Sequence, residues 1–443
     1  MTDLSTAGPF GLNALGAVAA ARRIEAGDIT SERLVRDYLA RIAAREPGLH
    51  AWAFVDAELA LAEARRLDST PRKGPLHGVP IGIKDIIDTC DMPTGHGSPI
   101  YRGDCTGRDA ACVAAFRAGG MVILGKTATT EFASPWPGDT RNPHDPARTP
   151  GVSSSGSGAA VADFMVPAAN GTQTGGSVIG PAASCGVYGY KASLDGLDRG
   201  GIRHCKPTID TLGLFARSIE DLVWLRAVET GRAAPPAMEP PARPRIGIVR
   251  TSSWHDTEPC LRVAFDVATR HLATAGAAVS ECALPALFDG LVEDFGVISG
   301  YEGVMALAAE ARDHLDSFNP WNRERVEQAA GWTPEHYEQA RVRMAQARAV
   351  MDEMFAGYDA LLTPSLPGEA PVGIEGVRPS QFNRLWTHMY TPAINLPLFE
   401  GPHAMPIGLQ VIGRRDADDA ALAMAGWIDA RLRAGLGTVP ARL

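Results

Sequence analysis

Two glycine-rich, hydroxyl-bearing clusters and one lysine hold the chemistry this sequence can do. The first cluster is Gly151-Val152-Ser153-Ser154-Ser155-Gly156-Ser157 and the second is Gly171-Thr172-Gln173-Thr174-Gly175-Gly176-Ser177. Glycine belongs where backbone passes close to another group or takes a positive φ. Ahead of Ser177, it leaves main-chain N–H groups able to face a developing oxyanion, which needs donors about 2.7–3.1 Å away. A lone Gly-Gly-Ser is only a tight turn. The lysine is Lys84, which closes the run Gly78-Val79-Pro80-Ile81-Gly82-Ile83-Lys84. At an exposed strand end it is a solvated charge. Buried, its ammonium loses hydration and its pKa falls by up to ~3–5 units. A neutral amine near pH 7–8 is a general base. Asp85 faces the other way if the segment is extended, because side chains alternate.

Other patterns offer less. Residues 120–127, Gly-Met-Val-Ile-Leu-Gly-Lys-Thr, match a phosphate loop in full. That loop needs a flexible turn with inward N–H groups, whereas Met121-Val122-Ile123-Leu124 reads as the buried strand itself. The 11 histidines show no His-Glu-x-x-His spacing, so neither metal nor cofactor is expected. A Ser-His-Asp triad stays open, since its members converge only in space. The cysteines number seven, with no Cys-x-x-Cys pair, which fits free thiols in a reducing cytoplasm. A net charge of −9 argues against nucleic acid or an anionic membrane as partner. No apolar run reaches the roughly 18 residues of a membrane span, and residues 1–16 lack the basic region of a secretory signal.

The elements around these groups follow from periodicity. Helical spacing covers residues 14–26, then a stretch capped at Thr30 and running through 44, then 57–67. Residues 1–70 thus read as an N-terminal helical wrap. From 79 the pattern changes to short apolar runs alternating with helices. Strands are expected at 79–87, 121–124, 166–169, 186–190 and 246–249, and helices at 110–118, 159–165 and 219–229. Such alternation argues for a layered α/β sheet. Residues 233–244, rich in Pro and Ala, are the best linker. A mostly helical part spans about 255–355. Strands return at 360–362, 394–397 and 407–412, before a helix at 417–432.

Together these stretches resemble the amidase signature family of serine hydrolases, which use a Ser–cis-Ser–Lys triad. The resemblance implies that Ser177 is the nucleophile, that Ser153, 24 residues before it, is the bridge on a cis peptide bond after Val152, and that Lys84 is the base. It also implies an oxyanion hole from the backbone amides of Thr174, Gly175, Gly176 and Ser177. Further landmarks occur in family order: Asn142-Pro143, Cys185-Gly186-Val187, Ala216-Arg217-Ser218-Ile219-Glu220-Asp221, Leu361-Leu362-Thr363-Pro364 and Pro406-Ile407-Gly408-Leu409-Gln410. The resemblance covers roughly residues 60 to 430. The implied fold is a mixed many-stranded sheet sandwiched between helices over residues 71–443, with 233–244 as a surface loop. The implied function is hydrolysis of small amides or carbamates through an acyl-enzyme, with esters open, by a monomer or homodimer without a cofactor. An amidotransferase component that feeds ammonia to a partner is the alternative, and a catalytically silent scaffold a third.

Three departures matter. Val152 stands where many relatives have Gly, and Gln173 where many have Asp. After the nucleophile come Val178-Ile179-Gly180, where many relatives place an Arg. The expected wall is therefore apolar, extended by Trp136, Phe132 and Met92. Burying a carboxylate there without a cation costs several kcal/mol, while an aryl or alkyl group gains about 25 cal/mol per Å². Neutral, hydrophobic amides or carbamates are the expected substrates.

Overall fold

The apolar run that ends at Lys84 becomes an inner strand. In the computed structural model, which describes residues 11–374, 381–437 and 440–442, the strands are β1 (Trp52–Phe54), β2 (Pro80–Lys84), β3 (Val122–Thr127), β4 (Ala168–Gln173), β5 (Tyr188–Lys191), β6 (Thr211–Ala216), β7 (Arg245–Ile248), β8 (Ala278–Glu281), β9 (Ala360–Pro364), β10 (Ala393–Glu400), β11 (Pro406–Ile412) and β12 (Ala441–Arg442). They form one sheet in the order β1-β3-β2-β4-β6-β5-β10-β11-β9-β7-β8, with β12 beside β10. Pairing is parallel through β3-β2-β4 and β9-β7-β8, and antiparallel from β4 to β9 through the centre. Every residue of β2, β3, β4, β5, β6 and β9 is buried. A strand buried at both parities is covered on both faces. The helix Ile179–Cys185 packs on β5, β10 and β11, and the helix Asp418–Leu436 on β10.

The expected α/β layering is present, with several local differences. The N-terminal stretch is more than a wrap, because β1 lies within it and adds an edge strand antiparallel to β3. Its first ten residues lie outside the described ones. The helix of the first cluster starts at Ser155, earlier than the apolar pattern suggests, and runs to Ala162. Gly171, Thr172 and Gln173 are strand rather than loop. Residues 120–127 are turn and strand, as their apolar centre requires. Lys126 from this stretch is buried, donating to Ile87 O (2.8 Å), Pro93 O (3.2 Å) and Thr94 Oγ1 (2.6 Å). Among the described residues, no helix is long and apolar enough to cross a membrane.

The helical part packs the helices Leu291–Ala306 and Pro334–Met354 together. Its apolar cluster holds Phe295, Ile298, Met344, Met351 and Trp386, and reaches the sheet through Leu361 and Ile412 and the helix Ile179–Cys185 through Ile179. Helical cover thus lies over the region beyond the end of β4.

Close approach, not helix propensity, fixes the helix Ser155–Ala162. Its residues Ser155 to Val161 are buried. A Cβ on Gly156 would lie 2.4 Å from Ala128 N and 2.4 Å from Ala51 O. Both are backbone atoms held in the β3 and β1 region, so neither can swing away. Gly156→Ala is therefore expected to destabilise the fold by roughly 1–3 kcal/mol or more. Gly48→Ala, in an exposed helical position with nothing within 4 Å of its Cβ, should stabilise by about 0.4–1 kcal/mol. Urea unfolding of the two variants checks the contrast, and equal midpoints would refute it.

Candidate active site

Strand β2 ends where its last side chain turns into a space enclosed by hydroxyls. Lys84 N donates to Asn170 Oδ1 (3.1 Å) on β4, which fixes the strand end. Lys84 Nζ then lies 2.9 Å from Ser153 Oγ, 2.8 Å from Thr172 Oγ1 and 3.5 Å from Thr172 O. The lysine is fully buried. Burial lowers its pKa to about 7, against a smaller upward pull from the Asp210 charge. No carboxylate pairs with it among the described residues. Asp85 does point away: its carboxylate accepts from Gly95 N and lies 3.5 Å from Lys126 Nζ.

Ser153 is buried in the loop ahead of the helix Ser155–Ala162. Gly151 brings that loop down onto the helix that follows Ser177. Its φ is +98°, and a Cβ there would sit 2.7 Å from Pro181 Cα, so only glycine fits. In this way the two clusters become neighbours. Ser177 lies in the turn between β4 and the helix Ile179–Cys185, at the wall of a cavity. Gln173 takes the N–H groups of Val178 (2.9 Å) and Ile179 (3.0 Å) on its Oε1 and donates from Nε2 to Thr387 Oγ1 (3.1 Å). One amide thus satisfies two orphan donors at the helix start. Thr174 donates its hydroxyl proton to Asp210 Oδ1. The other Asp210 oxygen accepts from Cys205 N (2.7 Å) and Lys206 N (2.7 Å). Asp210 therefore ties the Ser177 loop to the 205–206 segment.

The cavity at Ser177 measures about 320 Å³. Val152 and residues 174–177 form one side of it. Phe295, Trp321, Trp332, Arg325, Arg384 and Lys206 line much of the rest.

The expected apolar wall is corrected by this arrangement. Val178 and Ile179 are fully buried, because they begin a helix that enters the core. Val178 packs under Gly213 and Gly189 of the sheet, and Ile179 joins the helical cluster. Gly180 borders a separate small cavity with Leu366. Phe132 is buried against Tyr101 and Phe318, with the Arg203 guanidinium 4.7 Å above its ring. Met92 is buried. Trp136 is exposed and borders a different surface cavity. None of the six lines the cavity at Ser177.

Thr172 is a site residue that the cluster offered without marking it. Strand alternation puts Asn170 and Thr172 on one face of β4, and both reach Lys84. Arg325, Arg384 and Lys206 carry no local signature, since their convergence is tertiary. One group of possible metal ligands occurs among the described residues, Cys90 with Asp91 and Asp109. Arg117 already pairs with both carboxylates at 2.6 and 3.0 Å.

Comparison with known proteins agrees with this architecture. The family model described as Amidase matches residues 33–422. A glutamyl-tRNA(Gln) amidotransferase subunit of Acidothermus cellulolyticus is 33% identical, with 95% of each chain covered. A solved amidase crystal structure aligns with a TM-score of 0.87 at 29% identity, over 94% of this chain and 100% of that one. The native peptide amidase of Stenotrophomonas maltophilia aligns at 0.82 and 27%, over 96% and 98%. With the family model spanning most of the sequence and solved amidases aligning over nearly all of the chain, this chain belongs to the Amidase family of carbon–nitrogen hydrolases.

Proposed function

We propose that the chain is a serine amidohydrolase in which Ser177 attacks the carbonyl carbon, Ser153 relays the proton and Lys84 receives it. The observation that carries this is the buried, carboxylate-free Lys84 amine 2.9 Å from Ser153 Oγ. An amine held near its neutral form has a lone pair for the Ser153 proton, and its own N–H groups can be donated to Thr172. As Ser153 gives up its proton, it takes the one from Ser177. The Ser177 oxygen bonds to the carbonyl carbon, and the oxyanion faces the backbone N–H groups of residues 174–177. The Lys84 ammonium returns its proton through Ser153 to the leaving nitrogen. The C–N bond breaks, and ammonia or an amine departs. Water then gives a proton to the same relay and attacks the acyl-enzyme. The acid leaves and Ser177 is restored. Amides and carbamates both fit this sequence of steps.

A second reading has one specific observation behind it. Relatives about a third identical carry the name of an amidotransferase subunit. A chain of that kind would need a partner to accept ammonia. Gel filtration of the purified chain, joined to an ammonia-release assay, separates the two: free ammonia from the isolated chain supports the hydrolase.

The relay implies a graded series. Ser177→Ala and Lys84→Ala should each lower kcat by roughly 10³-fold or more, and Ser153→Ala somewhat less. The double variant Lys84→Ala/Ser153→Ala should fall far short of the product of the singles, since coupled groups are not additive. Near-normal turnover by Ser177→Ala ends the reading.

The pH profile has a defined sign. The active form of Lys84 is the deprotonated one, and its pKa is lowered to about 7. Activity is therefore low in acid, rises through that value and levels off above it. A rate greatest near pH 4, or one abolished by a chelator, would contradict the mechanism.

A further inference from the structure

We propose that Arg325, Arg384 and Lys206 form an anion subsite in the Ser177 cavity, and that the substrate is an amide tethered to a carboxylate. This deepens the hydrolase reading and rests on Ser177 as the reacting group of that cavity.

The starting point is an imbalance of charge. A buried cation is costly unless it is paired or gives up its proton, and several other deeply set cations of this molecule are paired. Arg203 meets Glu310, Arg148 approaches Glu369, Arg226 meets Asp419 and Lys126 approaches Asp85. Arg325 and Arg384 have no such partner among the described residues. Arg325 donates from Nη2 to Ser299 Oγ (3.1 Å), and its Nε has no hydrogen-bond acceptor. Arg384 Nε likewise has none. Both guanidiniums titrate lower than usual because they are partly desolvated, and Arg325, at about 10, is lowered further by the charge of Arg384. Two like charges therefore face one cavity and repel each other. Lys206, itself buried, adds a third. No Asp or Glu is among the described residues lining that cavity.

The surroundings hold these groups in place rather than neutralise them. The Arg325 guanidinium lies 4.6 Å from the Trp321 ring centroid and 5.3 Å from that of Trp332, and Arg384 lies 4.8 Å from that of Phe295. A guanidinium stacked on a ring keeps its N–H edge available, and that edge matches a carboxylate in bidentate fashion. A carboxylate here would supply the missing acceptors and relieve the repulsion. The same argument rejects two other classes. A neutral amide leaves the cations unpaired. An amino-acid amide brings an ammonium, which has no carboxylate to meet.

The test compares each acid with the neutral amide in which a methyl replaces its carboxylate, on the full-length chain: malonamate with propionamide, succinamate with butyramide, glutaramate with valeramide, and glutamine as the zwitterion. At least one acid should exceed its neutral analogue in kcat/KM by roughly tenfold or more, and should also exceed glutamine. Arg325→Gln and Arg384→Gln should move the acid-to-neutral ratio toward one through KM, while Arg325→Lys keeps part of it. Calorimetric binding of the preferred acid to Ser177→Ala gives a readout independent of turnover, and Ser177→Ala/Arg325→Gln should lose most of it. Ratios near one in every pair, or glutamine as the best substrate, overturn the subsite and leave the hydrolase reading standing. Carboxylate-dependent binding without turnover of any amide supports the subsite and retires the hydrolase reading.

Discussion

The structure depends on holding one amine out of water without giving it a counter-charge. An ammonium in such a place is disfavoured by desolvation, and a nearby carboxylate would restore it. The fold supplies hydroxyls instead. Thr172 and Ser153 both approach Lys84 Nζ within 2.9 Å, while the adjacent Asp85 serves Lys126 and Gly95 on the other side of the strand. Three features keep this arrangement in register. β2 is paired on both edges. Asn170 holds the Lys84 backbone. The Gly151 and Gly156 contacts bring the Ser153 loop against both the following helix and the sheet.

How much of this the sequence reveals depends on the range of the interaction. The Lys84 strand, the two serine loops and the sheet layering are local patterns with few competing solutions. The phosphate-loop match is also resolved locally, because four apolar residues in its centre demand burial as strand. Thr172 is half legible: its hydroxyl is visible, but its role appears only when β4 lies beside β2. The pocket is where sequence reasoning fails. Val178 and Ile179 follow Ser177 in the chain, yet helix geometry turns them into the core within two residues. The cavity wall comes instead from residues 295–332 and 384, far along the chain. Neither composition nor spacing links Arg325 and Arg384 to Ser177.

The expectation that Gln173 departs from an Asp has a physical account in the hydrogen bonds it makes. The helix after Ser177 begins with N–H groups that need acceptors. A carboxylate could accept them but would bring a negative charge close to Ser177. Gln173 accepts two of them with a neutral oxygen and uses its NH₂ on Thr387. The Ser177 side of the cavity is thus left without a fixed negative charge at this position, in keeping with the cationic wall opposite.

Three fully buried lysines show that burial alone does not make a base. Lys126 sits near Asp85 and three oxygen acceptors, and burial still lowers its pKa to about 8. With a carboxylate and two carbonyls around it, it acts as a cross-strand tie. Lys191 is lowered to about 7, as Lys84 is, but its amine donates to the carbonyl of Ala192. A carbonyl has no proton to give. Of the three, Lys84 alone combines a depressed pKa with a serine hydroxyl at hydrogen-bond distance, on a loop whose Val152 lines the same cavity as Ser177. The pKa shift comes from the sheet interior, which is common to all three. What sets Lys84 apart is the chemistry of the atom next to its amine, and that is fixed by the packing of the Gly151–Ser157 loop.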